Sequence, residues 1–168
     1  VDTSTGANEV LGGRVKTLPP KIHAGILADR RIEAHLAELT AQGYGPIDLV
    51  VCNLYPFEKA LENASEHHVM VENIDIGGPT LVRAAAKNAD GGVTTLIDPA
   101  DYGQAIEADA GIPQAARRKL AAKAVRIVAE YERQIATWIT DAVNDEADES
   151  TPLPTALPGF TRSHTLRY

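Results

Sequence analysis

Ile47-Asp48-Leu49-Val50-Val51-Cys52, running on into Asn53-Leu54-Tyr55-Pro56-Phe57, is the stretch that decides the fold. A short, nearly continuous apolar run is the mark of a strand covered on both faces, as strands of parallel sheets are. Pro56 ends it, because proline has no N–H to give to a ladder. Upstream, Arg31 to Gln42 places Ile32, Leu36 and Leu39 at the spacing of a helix face, with Gly43 as the stop signal. Residues 1–20 are rich in Gly, Thr and Pro without a period and read as loop. Downstream, residues 58–73 are mixed and suggest a short helix or two. Gly77-Gly78-Pro79 reads as a turn, with Pro79 at the first position of a helix continuing to about Asn88.

Gly92 to Ile97 reads as a second strand, closed by Asp98-Pro99, and a helix over Ala100 to Ala108 should follow. From Pro113 to about Val143, apolar residues recur at Leu120, Ile127, Tyr131, Ile135 and Trp138, which predicts one long amphipathic helix. Strands alternating with helices imply a mostly parallel sheet between helix layers, a three-layer α/β/α arrangement. Two strands are too few to hold such a core. The sheet is therefore expected to be completed by segments outside this chain or not readable in it. Beyond Asn144 an acidic run, Asp145 to Glu149, and then Pro152, Pro154 and Pro158 suggest a linker. The expected organisation is one domain over 1–144 and a linker over 145–168.

The net charge of −7 argues against nucleic acid as the main partner, since phosphate neutralisation needs a basic surface. It leaves room for a small phosphorylated ligand, which a local cluster of Lys and Arg can hold. No apolar run approaches the roughly 20 residues of a membrane span. Val1-Asp2-Thr3 does not open like a signal peptide, and without an initiator Met the chain is expected to continue an earlier segment. The one cysteine, Cys52, rules out an internal disulfide and a Cys-based zinc site, and its apolar setting suggests a buried thiol in a reducing cytoplasm. His67 and His68 are adjacent, about 100° apart on a helix. His23, His35 and His164 are scattered, so no metal is expected.

Three segments carry candidate chemistry, each with a plain structural alternative. Arg14-Val15-Lys16-Thr17, after Gly12-Gly13, offers two cations and a hydroxyl to an oxyanion; spacing alone favours a solvated basic turn. Asn53 and Tyr55 lie just past the end of a strand, where ligands bind in open α/β sheets. Tyr55 is either a donor there or a core aromatic, and Phe57 is read as core. Asp75-Ile76-Gly77-Gly78 leads into a helix bearing Thr80, Arg83 and Lys87 on one face. Asp75 and Lys87 meet only if the loop folds back along that helix; otherwise the face is simply solvated. Arg117, Arg118, Lys119, Lys123 and Arg126 read as the solvated side of the long helix.

Together, G-G-R-V-K-T-L (12–18), K-I-H-A-G-I-L (21–27), I-D-L-V-V-C-N-L-Y-P-F (47–57), E-N-I-D-I-G-G-P-T (72–80), V-R-A-A-A-K-N (82–88) and D-P-A-D-Y (98–102) resemble one family in its own order. It is the cyclohydrolase domain of the bifunctional enzymes that finish inosine monophosphate synthesis. The closing L-R-Y (166–168) is similar to the opening of their second, transformylase domain. The resemblance implies a methylglyoxal-synthase-like α/β fold. It also implies closure of the purine ring of 5-formamidoimidazole-4-carboxamide ribonucleotide to inosine monophosphate, with loss of water and without metal or cofactor. The transformylase domain would use 10-formyltetrahydrofolate. A purine nucleotide as ligand, a cytoplasmic location and a homodimer are implied as well.

Carried over residue by residue, the resemblance makes Lys16, Tyr55, Asp75 and Lys87 the catalytic candidates. Asp75 with Lys87 would manage the proton on the attacking carboxamide nitrogen, and Lys16 with Tyr55 would steady the oxyanion or help water leave. Arg14, Thr17, Asn53, Ile76, Gly77 and Gly78 would contact the nucleotide. The chain departs from the family at Pro19, where His is usual, and at Thr5-Gly6-Ala7-Asn8-Glu9, where T-G-F-P-E is usual. The resemblance implies that about a third of the domain, with a phosphate-cradling Ser/Lys/Thr loop, would precede Val1; with central sheet strands missing, the 168 residues alone are expected to fold poorly and be inactive. Two other readings are an inactive nucleotide-binding module of the same fold and a methylglyoxal-synthase-like lyase.

Overall fold

The computed structural model describes residues 11–63, 66–107 and 111–146. Helices α1 (Pro20–Leu27) and α2 (Glu33–Ala41) precede strand β1 (Leu49–Val51). Three helices, α3 (Phe57–Glu62), α4 (His67–Glu72) and α5 (Gly77–Lys87), separate β1 from β2 (Thr94–Leu96). A 3-10 turn at Pro99–Asp101 leads into α6 (Tyr102–Ile106), and α7 (Gln114–Glu146) follows. The strands pair in parallel, Leu49 opposite Thr94, Val50 opposite Thr95 and Val51 opposite Leu96. A parallel pair needs a long crossover, which α3 to α5 supply. The architecture is thus α/β with a parallel sheet, and the two strands and the long helix stand where the hydrophobic pattern puts them.

Three details differ from expectation. The apolar run 47–52 is not covered on both faces. Val50 is buried, but Leu49 and Val51 are 47% and 50% exposed. All three residues of β2 are buried, so the double coverage expected of a parallel strand holds for it alone. An apolar run records what a strand needs around it, not which neighbour supplies it. Helix α5 begins at Gly77 rather than Pro79, because the Asp75 carboxylate accepts the Gly78 N–H at 2.8 Å and so caps the first turn earlier. Helix α7 runs on to Glu146; residues 147–168, which include most of the stretch read as linker, lie outside the described residues, as do Thr5 to Glu9 and Ala108.

The third difference concerns the basic residues of α7, which are not simply a solvated face. Arg117 donates to the carbonyls of Ala89 (2.9 Å) and Ile112 (2.6 Å), and Arg118 pairs with Asp90 at 2.6 Å. Lys123 bridges Asp98 (2.7 Å) and Asp101 (2.6 Å). These contacts hold the turns before and after β2 against the helix.

The core lies where α5 meets the sheet and α7. Val50 and Val93 pack with Ile26 of α1 and with Ala84 and Ala85 of α5. Val82 of α5, Ile97, Ala124 and Val128 form a second cluster. Ala124 leaves room for α7 to lie against Val82 of α5, as Ala84 and Ala85 do for α5 against α1 and the sheet. Phe57, Met70, Tyr131 and Ile135 form a third cluster beneath α3 and α4, with Trp138 packed against it.

Asn88, at the end of α5, ties this core to α1. Its buried amide donates to the carbonyls of Ile26 (2.7 Å) and Ala28 (2.9 Å), satisfying the carboxyl end of that helix. Gly91 makes room for it: a Cβ there would lie 2.0 Å from the Asn88 Oδ1. Asn88→Ala removes the side-chain donor to the Ile26 carbonyl and leaves that of Ala28 to Arg30, whose guanidinium donates to it at 2.5 Å; it should cost about 1–3 kcal/mol, seen as a lowered urea midpoint with an unchanged m-value. Asn88→Asp, which replaces the donor with an acceptor facing two carbonyls, should cost more. A midpoint unmoved by either change would contradict this role.

Candidate functional site

A cleft of about 570 Å³ opens just past the carboxyl end of β1. Its walls come from residues of the loop 12–18, from Cys52, Asn53 and Tyr55, and from residues at the junction of α4 and α5, chiefly Ile74 to Gly78. Nine of the ten residues expected in a site line it: Arg14, Lys16, Thr17, Asn53, Tyr55, Asp75, Ile76, Gly77 and Gly78. The tenth, Lys87, lines an adjoining cleft of about 520 Å³ with His23, Thr80, Arg83 and Glu132. Asp75 and Ile76 belong to both walls, so the two clefts meet at that dipeptide. The loop therefore brings Asp75 to the cleft that Lys87 lines, and Thr80, Arg83 and Lys87 do share one face of α5.

The two glycines have a local reason to be glycine. A Cβ on Gly77 would stand 2.6 Å from the Thr17 hydroxyl oxygen. A Cβ on Gly78 would stand 2.3 Å from Asp75 Oδ2. Side chains at these positions would push apart the Thr17 hydroxyl and the Asp75 carboxylate that the helix start draws together. The start of α5 is thus a crowded place where the Thr17 hydroxyl and the Asp75 carboxylate close on the backbone, and the carboxylate takes up the Gly78 N–H.

Asp75 is held from two directions. Its backbone N–H donates to the Tyr131 Oη at 2.7 Å, and its carboxylate accepts from Gly78. Asn53 is held as firmly: its Nδ2 donates to the Ile97 carbonyl at 2.9 Å, and its Oδ1 accepts the Tyr102 hydroxyl at 2.7 Å. The carbonyl contact fixes which end of the amide is nitrogen. Tyr102 belongs to the Asp98-to-Tyr102 turn, whose Asp98 carboxylate accepts the Ala100 N–H (2.9 Å) and which Lys123 locks from α7. Hydrogen bonding by Lys123 holds the Asp98 carboxyl below its ordinary range, and bonding by Asp101 first, then Asp98, raises the Lys123 ammonium.

Tyr55 and Phe57, two residues apart, divide as strand-end residues can. Phe57 is buried among Met70, Tyr131 and Ile135, whereas Tyr55 is 54% exposed on the cleft wall and is no core aromatic. Arg14 forms an ion pair with Glu72 at the cleft margin, which raises its guanidinium pKa further. Cys52 is only part-buried and lines the cleft; burial first, and the nearby Asp75 charge second, push its thiol up. Among the described residues no group of three or more His, Cys, Asp or Glu side chains is arranged to hold a metal, and no helix is long and apolar enough to cross a membrane. The sequence reading placed Cys52 and Tyr131 among apolar residues and Tyr102 in a motif, but none of the three at the site. Only their contacts, made across 49 residues by Tyr102 and 56 by Tyr131, reveal them.

An α/β chain with a parallel sheet and a cleft at the carboxyl edge of its strands is of the class that binds ligands in that crevice. The comparisons narrow the class. This chain belongs to the AICARFT/IMPCHase bienzyme family, whose model matches residues 85–168. It is 47% identical over its whole length to the bifunctional purine biosynthesis protein PurH of Deinococcus radiodurans, covering 32% of that protein. It is 44% identical over its whole length to PurH of Brucella anthropi, covering 31%. The chain thus spans about a third of the length of these curated relatives. A solved structure described as the crystal structure of ForH superimposes with a TM-score of 0.64 at 37% identity, over 80% of this chain and 72% of that one.

Proposed function

We propose that this chain carries the ring-closing site of a bifunctional purine-biosynthesis enzyme, an IMP cyclohydrolase acting on 5-formamidoimidazole-4-carboxamide ribonucleotide. The observation that carries the reading is the convergence of Lys16, Tyr55 and Asp75, from three separate motifs, on one cleft, with Lys87 across the wall that Asp75 shares. Family membership supports it.

The chemistry asks for such a set. The carboxamide nitrogen is a weak nucleophile and the formyl carbon sits in the same molecule, so holding the two groups together supplies much of the rate. Asp75 takes the proton from nitrogen as the C–N bond forms, and Lys87 assists from the second cleft. Lys16 and Tyr55 donate to the oxygen that gains charge and then to the hydroxyl that leaves as water. Arg14, Thr17, Asn53, Ile76, Gly77 and Gly78 hold the nucleotide. No electrons enter or leave the substrate, so the step calls for no redox cofactor; 10-formyltetrahydrofolate belongs to the transformylase reaction of the bifunctional enzyme. A homodimer in the cytoplasm completes the proposal.

The full-length protein that carries this chain should convert the formamido nucleotide to inosine monophosphate, read as the rise of purine absorbance. Tight inosine monophosphate binding without turnover would instead make the domain an inactive binding module. Release of inorganic phosphate from dihydroxyacetone phosphate would make it a lyase. Neither binding nor turnover would overturn the reading altogether.

A further inference from the structure

Tyr131 lies on α7, 56 residues beyond Asp75, and no chemical motif in the sequence includes it. Its ring is buried at 6% exposure in the cluster with Phe57, Met70 and Ile135, and meets Phe57 edge-on at 6.2 Å. Its hydroxyl leaves that apolar cluster at one point only, the loop Asn73-Ile74-Asp75. There it accepts the Asp75 backbone N–H at 2.7 Å and donates to the Asn73 carbonyl at 3.3 Å. One hydroxyl thus satisfies both a donor and an acceptor of the loop that presents Asp75. Burial raises the phenol pKa, so the group keeps its proton and can play both parts at neutral pH.

From this geometry we infer that Tyr131 is a positioning residue for Asp75: the hydrogen bond from α7 fixes the Asp75 backbone, and Gly78 fixes its carboxylate, so that the acid stands at the shared wall of the two clefts. The inference rests on the proposed ring-closing role of Asp75. Loss of either hold would let the carboxylate move, and a displacement of about 1 Å costs on the order of a hundredfold in a reaction that depends on placement. The ring and the hydroxyl have separable duties. The ring fills the cluster under α3 and α4, and the hydroxyl alone addresses the site.

The test is Tyr131→Phe in the full-length protein, which keeps the ring and removes the hydroxyl. The kcat for ring closure should fall about ten- to a hundredfold while KM for the formamido nucleotide stays within about twofold. Ile135→Val, a change in the same cluster away from the hydroxyl, should lower the melting temperature and leave kcat unchanged. Combined with Asp75→Asn, Tyr131→Phe should cost nothing further, since the group it positions is already gone. A full kcat in Tyr131→Phe overturns the inference. So does an equal loss in the presence and absence of the Asp75 carboxylate, or a loss matched by Ile135→Val. If Asp75→Asn alone leaves ring closure intact, the reading of the site fails, and that result is distinct from a failure of Tyr131 to matter.

Discussion

Replacing Asp75 with Asn in the full-length protein is expected to lower kcat for ring closure by about 10²–10⁴-fold, the range that a positioned general base contributes. The substitution separates chemistry from structure. An Asn Oδ1 can still accept the Gly78 N–H now bonded at 2.8 Å, and the Asp75 backbone N–H still reaches Tyr131, so the start of α5 should keep its cap. The side chain is nearly the same size, and Gly78 leaves it the same space. What is lost is the ability to accept a proton from the carboxamide nitrogen. KM should therefore change little, and inosine monophosphate, which needs no proton removed, should bind about as tightly as before. Asp75→Ala removes the cap too, and should lower the thermal midpoint where Asn does not. A turnover within a fewfold of wild type in Asp75→Asn would remove Asp75 from the mechanism.

The parts of this fold that are legible in the sequence are those governed by a short period. Val50 in its apolar run marks β1, and Leu120, Tyr131 and Ile135, buried on one stripe of α7, mark the long helix. The period also hides things. Ala121, Ala124 and Val128 are as buried as the larger residues, but small side chains leave little hydrophobic signal even where they set how closely α5 and α7 pack. The site divides along the same line. Glycines, a carboxylate and lysines grouped in short motifs suggested a cleft, and nine of those ten residues line one. The supports of the cleft lie far off in sequence: Tyr131 under Asp75, Tyr102 beside Asn53, and Lys123 beneath the turn that carries Tyr102. A hydrogen bond spanning dozens of residues has no period, so local reading cannot find it. The basic stripe of α7 shows the cost: spacing suggests a solvated face, whereas Arg117, Arg118 and Lys123 each hold a particular loop.

The largest loss of stability should follow Phe57→Ala. Phe57 is 1% exposed and meets two aromatic rings edge-on, Tyr131 at 6.2 Å and Trp138 at 5.7 Å. Such pairs add to the area term because the positive edge of one ring faces the negative face of another. Truncation removes the transfer energy of the ring and leaves a cavity among Met70, Tyr131 and Ile135, for a total of about 3–5 kcal/mol. Against a typical domain stability of about 5–15 kcal/mol, that is a large share. The damage should be local first. Hydrogen exchange in α3 and α4, which rest on this cluster, should speed up by about a hundredfold or more, while β2, held by a different cluster, should respond less. Phe57→Leu keeps most of the volume and should cost less than half as much. Because the same cavity loosens the Tyr131 ring, Phe57→Ala should also reduce kcat at temperatures where the domain remains folded, by way of the hydroxyl that holds Asp75. Uniform exchange rates in α3 and α4 of the variant and the parent would show that this cluster is not what anchors them.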